Sequence, residues 1–497
     1  MNELTRPQAM IGKQTDSVGR SGFVERIGLA TPEREEALGA LVARIAELDL
    51  EVIRIAFVDV HGQLRIRPVE AGHFRSVARN GMPFGTALFA MDSANFIFQN
   101  VFSEDGGFGR KDMGGAGDML AVPDLSTFRV LPWAHKTGWI LSDIYLKSGD
   151  RCPFDPRGSM QRACADLAAR GYGFVGGVEV ECHIFKVDDP KLSLENCSHP
   201  PVPASVSPIR HGYQYMSEFV SDEMEFVLKP LRRALLDVGL PLRTAECEWG
   251  PGQVEITLDP LNNVEAADAM ILLRSTVKQV ARRMGLLASF MTKPGLPNVY
   301  SSGWHLHQSL SHSQSGINAF SSATDSISEV GLGFIAGLLE HAPAATAFSN
   351  PTINGYKRLN GNALAPQRAI WSDDNKAAML RLVGGIGDPA THLENRSGEP
   401  AANPYLYMAS QIYAGLDGID RKLDPGPALS DPYAQTDKPA LPKNLNEAVE
   451  ALDSSSFFRA KLGDDVVNHF ISTKRSEIGR FQSYVTDWEQ GEYFEMF

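Results

Sequence analysis

The chain has 497 residues, 43% hydrophobic and 22% charged, with 47 Lys plus Arg against 60 Asp plus Glu and a formal net charge of −13. This composition excludes wholesale disorder, collagen and coiled coil, and its acidic balance argues against a protein that grips nucleic-acid backbones. The five cysteines, Cys152, Cys164, Cys182, Cys197 and Cys247, are scattered and form no C-x-x-C. They suit a reducing cytosol better than a disulfide framework or a thiolate zinc site.

Residues 1–33 are polar and aperiodic and read as a flexible arm, without the apolar core of a signal peptide. The run 35–48 carries apolar residues at helical spacing. Two alternating runs follow, separated by His61-Gly62, which predicts a hairpin with glycine at its turn. The glycine-rich stretch 102–119 reads as loop, and strands are expected at 128–133 and 139–146. A break at Lys147–Arg157 precedes a helix at about 158–169 and a strand. The expected class is therefore α+β, with a small sheet domain over 34–145 and a larger unit over 146–497. The apolar run from Val330 contains Glu340, His341 and Pro343. It reads as a buried helix ending near the proline rather than a membrane span, so a soluble, cytoplasmic protein with neither a membrane nor a nucleic-acid partner is expected.

No G-x-x-x-x-G-K-[ST] motif occurs. Gly171, Gly173 and Gly176 match G-x-G-x-x-G, but a helix precedes them and a strand overlaps them, the reverse of a dinucleotide-binding turn. Carboxylates and histidines carry more information. Glu179 and Glu181 alternate with Val178, Val180 and Cys182, and period two puts both carboxylates on one strand face, ~6–7 Å apart. Glu248 and Glu255 flank a Gly-Pro-Gly turn, His305 and His307 share a face opposite Trp304 and Leu306, and Glu394 and Arg396 are again two apart. Singly, each pattern describes a solvated face or a packed or surface pair more readily than a site. Together, gathered carboxylates lose hydration and repel one another, so they require cations. Oxygen ligands with imidazole suit Mg²⁺ or Mn²⁺, and several such ligands suggest more than one ion, as used to clamp ATP phosphates.

At these motifs the sequence resembles the glutamine synthetase superfamily from about residue 36 to the end: GDMLAVPDLSTFRVLPW, GVEVE, GPGQVE, SGWHLHQSL, NPTINGYKRL and NRSGEPAANPYL occur in the family's order. The resemblance implies a β-grasp-like N-terminal domain and a catalytic domain on a curved antiparallel sheet. It implies a homo-oligomer of stacked rings, commonly a dodecamer, with shared active sites. It further implies that Glu181, Glu248 and Glu255 hold one metal, and Glu179, His305 and Glu394 another. His307 and Ser309 match an ATP-contacting segment, and Arg381 an arginine on the phosphates. Arg358 and Arg396 match the arginines that hold L-glutamate, a site to which Glu181 and Gly303 also belong. The implied reaction is attack of glutamate's γ-carboxylate on ATP, giving a γ-glutamyl phosphate that an amine captures.

The departures concern the amine. The family's flap glutamate corresponds to Leu364 in Asn362–Pro366, and a leucine neither accepts a proton nor binds a cation. Tyr300-Ser301 replaces an Asn-Gly beside the glutamate site, Lys376 replaces a phosphate-contacting arginine, and Asp92 matches the ammonium-site aspartate, followed by Phe96 and Phe98. Phosphoryl chemistry kept and acceptor handling altered is the expected pattern of a glutamate–amine ligase. A neutral aryl amine of the aniline type best suits Leu364. Ammonia, an alkylamine, ethanolamine or a polyamine are the alternatives.

Overall fold

The computed structural model describes residues 22–360 and 364–497. Strands β1 (Val52–Val58), β2 (Leu64–Glu70), β3 (Met82–Gly85), β4 (Asp118–Pro123) and β5 (Thr137–Tyr145) form an N-terminal sheet in the order β2-β1-β5-β4-β3. The β1–β5 pair is parallel and the other pairs on that path are antiparallel. Helix α1 (Pro32–Glu47) buries Leu38, Leu41 and Ile45, and its Thr31 cap accepts a hydrogen bond from the Arg34 N–H. Residues 22–33, expected to belong to a flexible arm, are ordered against the fold. Phe23–Arg26 form a helical turn with Phe23 and Val24 buried, because Phe23 finds an edge-on partner in Tyr145 at 6.2 Å. Residues 1–21 lie outside the described residues.

The β1–β2 hairpin turns at His61-Gly62, with Gly62 at φ 73°, where a side chain would be strained. A Cβ there would also stand 2.8 Å from the Arg274 guanidinium. The Gly62 carbonyl accepts from Arg274 Nη2 at 3.1 Å, and Asn403 donates to the carbonyls of Asp59 and Val60. The turn thereby pins the N-terminal sheet to the larger unit.

That unit contains α2 (Pro156–Ala168), β6 (Tyr172–Asp189), α3 (Glu218–Asp237), β7 (Leu242–Cys247), β8 (Gln253–Leu258), α4 (Val264–Arg283), β9 (Leu286–Ser289), β10 (Trp304–His312), α5 (Glu329–Ser349), β11 (Trp371–Asp373), β12 (Leu380–Val383), β13 (His392–Asn395) and α6 (Pro404–Arg421). Its main path runs β11-β12-β13-β10-β6-β8-β7, antiparallel except at β11–β12. Gly173 and Gly176 lie inside β6, so the G-x-G-x-x-G match is strand. Val178, Val180, Cys182, Val254, Ile256 and Leu306 on one sheet face join a single hydrophobic core with α2, α3, α4, α5 and α6. The other carries the polar residues described below. All five cysteines are free thiols.

Helix α5 was expected to end near Pro343, but it runs through it to Ser349. The missing N–H forfeits one backbone bond, and burial against α6 outweighs that cost. Among the described residues α5 is the one helix long and apolar enough to cross a membrane, and 67% of its most apolar window is buried inside the fold. Its approach to α6 is close: a Cβ at Gly337 would lie 1.9 Å from the Ala414 carbonyl oxygen, and one at Gly418 would lie 2.0 Å from the Gly333 oxygen. Backbone cannot move aside as a side chain can. Gly337→Ala should therefore destabilise the protein by about 1–3 kcal/mol through overpacking, read as a lower midpoint in thermal or urea unfolding. An unchanged midpoint would refute the backbone contact.

Candidate active site

Strand pairing assembles the site across the polar face. On one side of β6, Glu181 pairs with Glu255 of β8 and Glu179 with Thr257; on the other, Glu179 pairs with His305 of β10. His307 pairs with Glu394 of β13, which pairs with Arg381 of β12, while Glu255 pairs with Glu246 of β7. Directly opposed residues share a face, so segments distant in sequence contribute one row of ionisable groups.

Glu179, His305 and Glu394 each offer a ligand atom within 4.8 Å of one another, as do Glu181, Glu255 and His305. His305 Nδ1 lies 2.6 Å from Glu179 Oε1 and 3.5 Å from Glu394 Oε1, and His307 Nε2 lies 3.0 Å from Glu179 Oε2. Burial would raise the Glu179 carboxyl, but hydrogen bonds with the two histidines outweigh it and hold it well below the usual carboxylate range. Burial likewise opposes ionisation of Glu394, and the charges of His305, Arg396 and His307 prevail. The other half is unbalanced. Burial pushes Glu181 up to about 8, against the pull of Arg358. Burial and the charges of Glu179, Glu181 and Glu248 push Glu255 well above the ordinary range. This oxygen-rich set with one imidazole fits hard divalent cations, which would supply the charge it lacks. Glu248 belongs to neither close triplet. It sits in the turn after β7 and accepts a hydrogen bond from the Trp249 N–H at 3.0 Å.

Arginines rim the cluster. Arg358, on the short helix Tyr356–Leu359, donates to the carbonyls of Arg396, Ser397 and Gly398 and lies 3.4 Å from His305 Nε2. Gly303 lies against it, where a Cβ would stand 2.7 Å from Arg358 Nη2, and its carbonyl accepts from the Glu181 N–H. Arg396 pairs with Glu394 through Nη1, while its buried Nε has no hydrogen-bond partner among the described residues. Arg381 bridges Asp374 and Glu394. Beside the cluster a cavity of about 520 Å³ is lined by Glu179, Glu246, Glu255, His307, Ser309 and Arg381, among others, a size suited to a small-molecule ligand. Lys376 is exposed in the β11–β12 connection, and its charge acts on Glu248.

Asp92 does not join these residues. It is fully buried, and its carboxylate accepts from the N–H groups of Ala94 and Phe96 and from Arg480 Nε at 2.7 Å. Within this chain these contacts tie the turn at residues 92–96 to Arg480. Trp304 is core, fully buried and edge-on to Tyr407. Leu364 is 51% exposed, immediately after residues 361–363, which lie outside the described residues. Sequence reasoning missed three contributors. Glu246 carried a signal, a second carboxylate two residues before Glu248. His392, which lies 2.9 Å from His307, and Gln253, which donates to Glu181 at 2.8 Å, carried none.

Residues 153–493 match the family model described as glutamine synthetase, catalytic domain. The chain is 40% identical over 495 residues to the gamma-glutamylanilide synthase of Acinetobacter sp, covering 95% of this chain and 99% of that one. It is 30% identical over 458 residues to the glutamate–isopropylamine ligase of Pseudomonas sp, covering 91% and 96%. The solved GmaS/ADP complex (conformation 1) superimposes with a TM-score of 0.78 at 28% identity, covering 92% of this chain and 99% of that one. With the family model spanning well over half of its length, the chain belongs to the glutamine synthetase family of ATP-dependent carbon–nitrogen ligases.

Proposed function

We propose that this enzyme joins the γ-carboxylate of L-glutamate to a neutral aryl amine of the aniline type, through a γ-glutamyl phosphate. The observation that carries the reading is the pairing of an intact two-triplet carboxylate–histidine cluster with Leu364 at the flap. Similarity to the Acinetobacter sp gamma-glutamylanilide synthase supports it. In the first step a glutamate γ-carboxylate oxygen bonds to the ATP γ-phosphorus and the bond to ADP breaks. In the second, the amine nitrogen attacks the acyl carbon, phosphate departs, and the nitrogen loses a proton to water. An aryl amine is neutral near pH 7 and arrives with its lone pair free, so no flap carboxylate is needed to take a proton from it first.

The chain's residues divide the work of orientation. Arg396, with its unpartnered buried Nε, and Arg358 face the glutamate, against the flat surface left by Gly303 and beside Glu181. Arg381, His307, Ser309 and Lys376 face ATP, with Arg381 able to leave Asp374 for phosphate oxygens. Glu179, His305 and Glu394 would hold one Mg²⁺ or Mn²⁺, and Glu181, Glu255 and Glu248 a second. Bound there, the ions would neutralise charge on the transferring phosphoryl group. The assembly is proposed as the family's double ring of twelve. Trp488, Phe494 and Met496, exposed on the C-terminal segment, offer apolar surface for it to cover.

Two measurements test this. A Glu181 carboxyl raised from 4.5 to about 8 binds its proton more tightly folded than unfolded, so folding of the metal-free protein takes up protons. Its stability should fall as pH rises through that window, and saturating Mg²⁺ should flatten the fall. A pH-independent midpoint that Mg²⁺ does not move would contradict the cation site. For the acceptor, the purified enzyme with ATP, Mg²⁺ and glutamate should form γ-glutamylanilide faster than glutamine. Leu364→Glu should shift the aniline-to-ammonia ratio of kcat/KM towards ammonia by about a hundredfold, the lower end of a general-base contribution. A wild-type enzyme for which ammonia works and aniline is inert would sink the aryl-amine reading.

A further inference from the structure

Three segments far apart in sequence, 213–215, 248–253 and 300–302, are fastened together by two buried glutamines. The Gln214 N–H donates to the Trp249 carbonyl at 3.3 Å, its Nε2 donates to the Gln253 carbonyl at 3.0 Å, and its Oε1 accepts from the Gly252 N–H at 3.3 Å. Gln253 donates from Nε2 to Glu181 Oε2 at 2.8 Å, to Ser302 Oγ at 3.1 Å and to the Ser301 carbonyl at 3.3 Å. Both side chains are shielded from water, so these bonds form in a low dielectric and fix the segments relative to Glu181.

Four aromatic rings stand on those segments. Tyr215 stacks on Trp249, with centroids 5.0 Å apart and planes 6° from parallel, and Trp249 leads to Tyr300 at 6.1 Å and 23°. Tyr213 meets Tyr300 edge-on at 5.4 Å. A single half-exposed aromatic is ordinary. Here Tyr213, Tyr215, Trp249 and Tyr300 are all between 36% and 55% exposed, and they form one continuous wall. The wall begins at the residue after Glu248, whose carboxylate the Trp249 N–H holds, and ends at the residue before Ser301, which Gln253 ties to Glu181.

We infer that Trp249 and Tyr300, backed by Tyr215 and Tyr213, form the subsite for the aromatic ring of the acceptor amine. This rests on the aryl-amine reading above and deepens it. The exposed parts of these mutually stacked rings offer aromatic surface to a flat ring, which packs offset or edge-on against it. Their attachment through Gln253 to Glu181 sets that ring at a fixed place relative to the reacting end of glutamate. The bare alkyl end of a small amine would leave this surface wet, so the wall selects for an arene by the area it removes from water.

The test compares kcat/KM for aniline and for hydroxylamine, a nucleophile with no ring, at saturating glutamate and ATP. Trp249→Ala and Tyr300→Leu should each lower the aniline value about tenfold more than the hydroxylamine value, the size of one aromatic contact. Trp249→Phe should recover most of that loss. Retained hydroxamate formation shows that the variants fold and still phosphorylate glutamate. Equal losses on both acceptors in both variants would overturn the ring subsite while leaving the aryl-amine reading in place. A wild-type enzyme inactive with aniline but active with hydroxylamine would overturn both.

Discussion

Cross-strand pairing forces Glu179, Glu181 and Glu255 to share one sheet face with Glu394, and that crowding governs the rest of the molecule. The opposite face of the same strands is apolar and packed on helices, so the carboxylates cannot turn away without exposing core. Histidines and arginines from β10, β12 and β13 offset the half of the cluster around Glu179 and Glu394. Around Glu181 and Glu255 burial and neighbouring carboxylates dominate, against the pull of Arg358 on Glu181. A fold that holds acids together in this way stores an affinity for cations, which a phosphoryl-transfer enzyme needs when it brings a carboxylate up to ATP.

At the acceptor end the electrostatic demand reverses. In the proposed function Leu364 takes the place of a flap glutamate, and aromatic rings occupy the segments next to Glu248 and Ser301. Under the proposed function, acidic groups are concentrated where ATP and metals would act, while apolar groups gather where the amine would enter. The two regions meet at Gln253, which touches both the Glu181 carboxylate and the loop behind Tyr300.

Much of the site was legible because strand periodicity is local. Glu179 with Glu181 and His305 with His307 fall on one face whatever their neighbours are, and the structure places each pair so. What sequence could not supply was pairing order. His392 meets His307 only because β13 lies beside β10, and Glu246 enters the row only because β7 lies beside β8. Pro343 misled through a local rule that tertiary burial overrode, and the arm was drawn too long because Tyr145, the partner of Phe23, is remote.

The central claim is that the carboxylate–histidine row is a two-cation site. Anomalous scattering from crystals grown with ADP and Mn²⁺ tests it most directly. The account predicts two peaks per chain, one touching Glu179, His305 and Glu394 and the other among Glu181, Glu248 and Glu255. Absence of any peak in the row, with its carboxylates paired only to arginines and histidines, would contradict it.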